Sequence, residues 1–168
     1  SIRIWDASSK DEVNRIEGRD GWVYALTKLP GGRFASGTSH AVITIWDTLT
    51  GSEIRRLAGH HGDSVTALAA LPDGRLASGC EDGGILLWDT DKGTPNARLV
   101  DTGVGITALI VLKDGRLVSG SNDGIIRIWD VGRQCVISRL YVRGRGVALA
   151  ELQDGRIVVG SDGKIRLW

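Results

Sequence analysis

The chain has 168 residues, 42% of them hydrophobic, with 21 Lys and Arg set against 20 Asp and Glu for a net charge of +1. Interspersed charges that cancel supply no long-range field to draw in nucleic acid or an anionic membrane surface, so neither is expected as a partner. The 24 glycines interrupt every long window, which argues against a helical fold and against any apolar run of membrane-spanning length.

Ile2 to Trp5 alternates apolar and polar residues and ends on a tryptophan, which reads as a strand, and a further strand closes at Ile16. From there the chain repeats itself. A strand marked by Ala25-Leu26 ends at Leu29, Pro30-Gly31-Gly32 makes a turn, and strands follow over Arg33 to Gly37, over Ile43 to Trp46 and up to Leu57. The same order returns with Ala67-Leu68, Pro72-Asp73-Gly74, Arg75 to Gly79, Ile85 to Trp88 and Leu99. It returns again with Ala108-Leu109, Lys113-Asp114-Gly115, Arg116 to Gly120, Ile126 to Trp129 and Leu140. The last round, cut short, has Ala148-Leu149, Gln153-Asp154-Gly155, Arg156 to Gly160 and Ile165 to Trp168. Each turn places Gly where a short hairpin needs positive φ. Trp5, Trp46, Trp88, Trp129 and Trp168 thus stand 39 to 42 residues apart, and four strands in about 40 residues make one propeller blade. The predicted fold class is all-β, in blades of four antiparallel strands. Repeats fall at about 1–17 (partial), 18–58, 59–100, 101–141 and 142–168 (partial).

Cys80 sits at a strand-to-loop edge and Cys135 in mid-strand, 55 residues apart. Two buried thiols are expected rather than a disulfide, and with them an intracellular, cytoplasmic protein. Asp73, Asp114 and Asp154 recur once per repeat in Asp-Gly turns, where the carboxylate bonds local backbone, so they mark structure and not an active centre. His60-His61 could ligate a metal, but no HxxxH, CxxC or acidic partner stands at ligand spacing, and no glycine run forms a phosphate loop. Neither enzymatic activity nor a metal or other cofactor is expected.

Gly59-His60, the run Leu71-Pro72-Asp73-Gly74-Arg75-Leu76-Ala77-Ser78-Gly79 and Trp88-Asp89 resemble a WD-repeat blade. Trp5-Asp6, Trp46-Asp47 and Trp129-Asp130 extend the resemblance over essentially the entire chain. It implies a toroidal propeller around a central channel, commonly of seven or eight blades, of which this chain supplies part or half. It also implies a non-catalytic scaffold that grips a protein or peptide by its loop faces. A side-chain hydrogen-bond chain is implied as well, matched in the second repeat by His60, Ser78, Asp82 and Trp88. In such a chain indole, hydroxyl, imidazole and carboxylate satisfy one another. His61 competes with His60 for the imidazole position. The first repeat keeps Ser36 and Trp46 but has His40 for the carboxylate and Arg19 for the histidine. The third keeps Ser119, Asp123 and Trp129 but has Gly103 near the histidine position, and the fourth has Val159 for the serine with Asp162 out of register. Apolar packing is expected to hold those three.

The family's exposed positions map onto Trp22, Tyr24, Ser64, Thr66, Gly105, Thr107, Arg145 and Val147, with Ser39, Glu81, Asn122 and Ser161. From these and the neighbouring loop, the candidate partner-binding residues are Trp22, Tyr24, Glu81, Asn122, Arg143 and Arg145. Aromatic and Arg anchors dominate interface energetics, and two arginines suit an acidic or phosphorylated motif. Against this, Trp22 could cover the first blade by packing on Arg19, and Arg143 and Arg145 could belong to a solvated loop. Ile2 to Trp5 and Ile165 to Trp168 occupy the same third position of a blade. Three arrangements stay open: a segment of a larger propeller, a homodimer of four-blade halves closing an eight-bladed ring, and a strained four-bladed ring or isolated fragment.

Overall fold

The computed structural model describes residues 1–17, 20–59, 63–100, 103–142, 144–145 and 147–168. Among them every regular element is a strand. β1 (Ile2–Trp5) and β2 (Glu12–Ile16) form a two-stranded sheet. Three four-stranded antiparallel sheets follow. The first holds β3 (Val23–Leu29), β4 (Arg33–Thr38), β5 (Val42–Asp47) and β6 (Glu53–Ala58). The second holds β7 (Val65–Ala70), β8 (Leu76–Cys80), β9 (Ile85–Asp89) and β10 (Thr94–Leu99). In the third are β11 (Ile106–Val111), β12 (Leu117–Ser121), β13 (Ile125–Asp130) and β14 (Cys135–Tyr141). The chain ends in a three-stranded sheet of β15 (Ala148–Glu151), β16 (Ile157–Ser161) and β17 (Lys164–Leu167). Each sheet is a simple meander, and β3, β7, β11 and β15 stand side by side as the innermost strands of four successive propeller blades.

Local chemistry explains the regularity. Gly74 and Gly115 take φ of +87°, and each donates its N–H to the carbonyl three residues back, Leu71 or Leu112, closing the tight turn between the first two strands of a blade. Blades then join through a knob and a hollow. A Cβ on Gly37 would lie 2.6 Å from Val65, one on Gly79 2.5 Å from Ile106, and one on Gly120 2.7 Å from Val147. Only glycine leaves room for the residue at the head of the next inner strand. Around that contact Val65, Leu68 and Leu76 pack on Ala35, Ile43, Ile45 and Leu57 of the preceding blade, and Ile106, Leu109 and Leu117 repeat the arrangement one blade on. Full burial contributes about 1.5–3 kcal/mol for each large side chain.

The indole–serine bond predicted for the second repeat is present: Trp88 Nε1 donates to Ser78 Oγ at 2.7 Å. Trp46 bonds Ser36 and Trp129 bonds Ser119, each at 2.8 Å. Asp82 accepts from the Gly84 N–H at 2.7 Å, from the Cys80 thiol and from Arg98 at 3.2 Å, which ties its loop to β10. His60, His61 and Arg19 lie outside the described residues. Trp88 is fully buried, whereas Trp5 and Trp168 are exposed because their sheets lack neighbouring strands.

Both cysteines are free. Cys80 is buried, and burial together with its bond to the Asp82 carboxylate pushes the thiol up to about 12. Cys135, expected to be buried in mid-strand, instead opens β14 and is exposed, because the outermost strand of a blade leaves most of its side chains in solvent.

Candidate partner-binding face

One backbone bond sets the geometry of this face and recurs in three blades. The N–H groups of Ser39, Glu81 and Asn122 donate to the carbonyls of Trp22, Ser64 and Gly105 at 2.9, 3.1 and 2.9 Å. Each bond places the residue after the second strand beside the head of the inner strand, at one end of the array. Hydroxyls then bridge the blades. Thr66 Oγ1 reaches the carbonyls of Gly79 in its own blade and Ile106 in the next, and Thr107 Oγ1 reaches those of Gly120 and Val147.

Two adjoining cavities open here. One of about 300 Å³ is lined by Tyr24, Thr66, Glu81, Ile106, Thr107 and Asn122. The other, of about 600 Å³, is lined by Glu81, Gly103, Val104, Gly105, Asn122 and Arg145. Glu81 and Asn122 belong to both, so four of the predicted residues, Tyr24, Glu81, Asn122 and Arg145, converge on one depression. An exposed phenol, a carboxylate, an amide and a guanidinium offer it donors and acceptors of both signs.

Trp22 stands apart. Its backbone is held by Ser39 on both sides, but the side chain is 75% exposed and lines neither cavity. Arg143 lies outside the described residues. Gly105, Val147 and Ser161, expected to be exposed, are buried. The last inner strand lacks the bulge that the other three carry near their heads, so Val147 turns inward against Gly120. Ser161 accepts a bond from Arg166 at 3.1 Å. Val104, exposed in a glycine-flanked loop, joins the second cavity with no periodic signal to mark it.

The aspartates with displaced titration are engaged in turns and not in these cavities. Side-chain bonds from Arg75, Arg116 and Arg156 hold the Asp73, Asp114 and Asp154 carboxyls below the usual range. The backbone N–H of Thr50 and of Lys92 does the same for Asp47 and Asp89. A buried ion pair was not read from the sequence. Arg127, 3% exposed in the middle of β13, donates to Asp123 at 2.7 Å. Burial alone would raise the Asp123 carboxyl, but bonds from Arg127, Ser121 and the Ile125 N–H outweigh it and leave it lowered.

The WD domain, G-beta repeat model matches residues 51–89, 94–130 and 141–168, more than half of the chain. The chain belongs to the WD40 repeat family. The first two WD40 matches run from β6 to β9 and from β10 to β13, so each begins with the outer strand of one blade and supplies the inner three of the next, while the third starts at Tyr141, the last residue of β14. Solved structures share the fold. The WD40 beta-propeller domain of Doa1 superposes with a TM-score of 0.89 at 22% identity, covering 98% of this chain and 56% of that one. A chain of the Mitotic Checkpoint Complex gives 0.86 at 22% identity, covering 99% and 53%. The computationally designed Ika8 protein gives 0.81 at 30% identity, covering 99% and 51%. The chain thus spans about half the length of the solved chains it matches. No curated protein matches it. WD40 propellers generally act as non-catalytic scaffolds for protein interaction.

Proposed function

We propose that this chain is a non-catalytic scaffold that holds a peptide segment of a protein partner in the depression at the heads of its inner strands. The carrying observation is convergence: Tyr24, Glu81, Asn122 and Arg145 come from four successive blades and meet around two adjoining cavities. An extended segment advances about 3.3 Å per residue, so one crossing several blades meets Glu81 and Arg145 in turn. Asn122, with two donors and an acceptor, suits the segment's backbone, and Tyr24 offers an apolar body with a polar tip. The preferred ligand carries a basic side chain for Glu81 and an acidic one for Arg145.

A displayed peptide library selected on the native chain tests this reading. Selected peptides are expected to weaken at least tenfold, about 1.4 kcal/mol, on both Glu81→Lys and Arg145→Glu. Both side chains are exposed, so the fold should tolerate the changes. Peptides that bind both variants as well as the native chain would place recognition elsewhere.

A further inference from the structure

Glu81 and Asn122, the two residues that line both cavities, each stand immediately before a carboxylate. Asp82 and Asp123 close their own loops by accepting the N–H of Gly84 at 2.7 Å and of Ile125 at 2.9 Å. An arginine then grips each carboxylate, and the two blades bring it from different sides. In the third blade it comes from within the hairpin: Arg127, buried in β13, reaches Asp123 at 2.7 Å. In the second blade Leu86 holds that inner place, and Arg98 of the outer strand β10 reaches Asp82 at 3.2 Å. Gly84 opens the way for it. The φ of Gly84 is not positive, so its backbone does not demand glycine, but a Cβ there would lie 2.9 Å from both Arg98 Nη2 and Asp82 Oδ1. Both blades are complete four-stranded sheets. The first blade supplies the contrast: His40 stands where Asp82 and Asp123 stand, and the residue before it, Ser39, lines neither cavity.

We infer that Arg98 and Arg127 are positioning residues of the partner-binding face, a role that rests on the peptide-binding reading above. Neither lines a cavity. They act through Asp82 and Asp123, joining each loop to the strands beneath it by charge-assisted bonds that a guanidinium can make in pairs. The N–H groups of Glu81 and Asn122 are meanwhile fixed on the Ser64 and Gly105 carbonyls. Two consecutive residues of each loop are thus held before a ligand arrives, and binding has only the Glu81 and Asn122 side chains left to order. Preset groups of this kind favour affinity by lowering the ordering that association requires.

The probe is a fluorescein-labelled peptide taken from the displayed library and weakened by both Glu81→Lys and Arg145→Glu. Its anisotropy gives Kd for each variant of the whole chain, and urea unfolding gives stability beside it. Gly84→Ala crowds the Arg98 tip and the Asp82 carboxylate without altering a charge, and Arg127→Leu frees Asp123 from its cation. Each should weaken the peptide about fivefold, because binding must then order the loop. Arg127→Lys, which keeps the charge, should recover part of that loss. Ser36→Ala removes a bond in the first blade and should lower stability with Kd unchanged, which separates position from stability. A cycle with Asn122→Ala decides the route: once that side chain is gone, Arg127→Leu should weaken the peptide no further. A native Kd in Gly84→Ala or Arg127→Leu, or losses that add in the Asn122→Ala background, overturns the positioning role alone. A library that yields no peptide sensitive to Glu81 and Arg145 overturns the reading of the face, and the role with it.

Discussion

Removing the Asp123 carboxylate takes a counter-charge from a cation buried inside the third blade. Arg127 lies between Ile126 and Ile128 with its side chain 3% exposed, and it donates to Asp123 at 2.7 and 3.2 Å, to Ser121 Oγ at 3.0 Å and to the Ile125 carbonyl at 3.3 Å. Breaking a buried pair from one side typically costs about 3–5 kcal/mol. Ser121 and Ile125 remain as acceptors, and the Asp123 side chain is 18% exposed, so water can reach the gap. Asp123→Ala should therefore cost about 3 kcal/mol, which for a chain of this size lowers Tm by roughly 6–12 °C. Arg127→Leu removes the charge itself and installs the residue that the second blade carries at the matching position, Leu86. It leaves Asp123 bonded to the Ser121 hydroxyl and the Ile125 N–H, for a loss of about 1 kcal/mol or less. The double variant should consequently be more stable than Asp123→Ala alone. Urea unfolding followed by tryptophan fluorescence measures all three. If Arg127→Leu costs as much as Asp123→Ala, or if the latter costs under about 1 kcal/mol, the buried-charge argument is wrong.

Ser78→Ala removes the acceptor of the fully buried Trp88 indole and should cost about 1–3 kcal/mol, while Ser36→Ala, beside the half-buried Trp46, should cost less. Equal shifts in urea midpoint would show that burial does not set the value of this bond. Gly79→Ala places a Cβ 2.5 Å from Ile106 Cγ2 and forces β11 outward, so unfolding should become easier by about 1–3 kcal/mol; a loss below about 0.5 kcal/mol would mean that the joint is loosely packed. Asp47, Asp73, Asp89, Asp114, Asp123 and Asp154 all have folded values below the ordinary one. Their contribution is complete above the unfolded carboxyl value near 3.9 and fades as pH falls through the lower folded values. Melting temperature should therefore hold from pH 7 to about 5 and drop below about 4, and a decline beginning near pH 6 would point to histidine instead.

Much of this architecture is written in the spacing. Turn glycines and tryptophans at a 39–42-residue period place every strand, because each blade needs the same turn and the same anchor. Tyr24, Glu81, Asn122 and Arg145 were legible for a related reason: positions fixed relative to the period reach the same end of the array. Departures from the period were harder to read. One missing bulge turns Val147 from solvent to core, a change of register that side-chain type cannot announce. Arg127 alternates with two isoleucines as a half-exposed strand residue would, and only the third dimension reveals that it is buried. Trp22 is conspicuous by composition alone, and its place at the rim depends on a backbone bond to Ser39. Cys135 follows the same logic, since pattern predicts a strand but not which strand is outermost.

The shared hydroxyls of Thr66 and Thr107 bear on the curvature of the array. Each has one proton, shared between a carbonyl of its own blade and one of the next, so a single hydroxyl spans the gap between those strands. The angle through which successive blades turn is thereby set close to the axis, where a small displacement swings the outer strands furthest. At the matching position of the first blade stands Tyr24, whose ring cannot take that narrow place, and the first and second blades are linked there by the longer 3.5 Å bond from Ser64 to Ser39. The second and third joints thus carry a shared threonine hydroxyl that the first joint lacks.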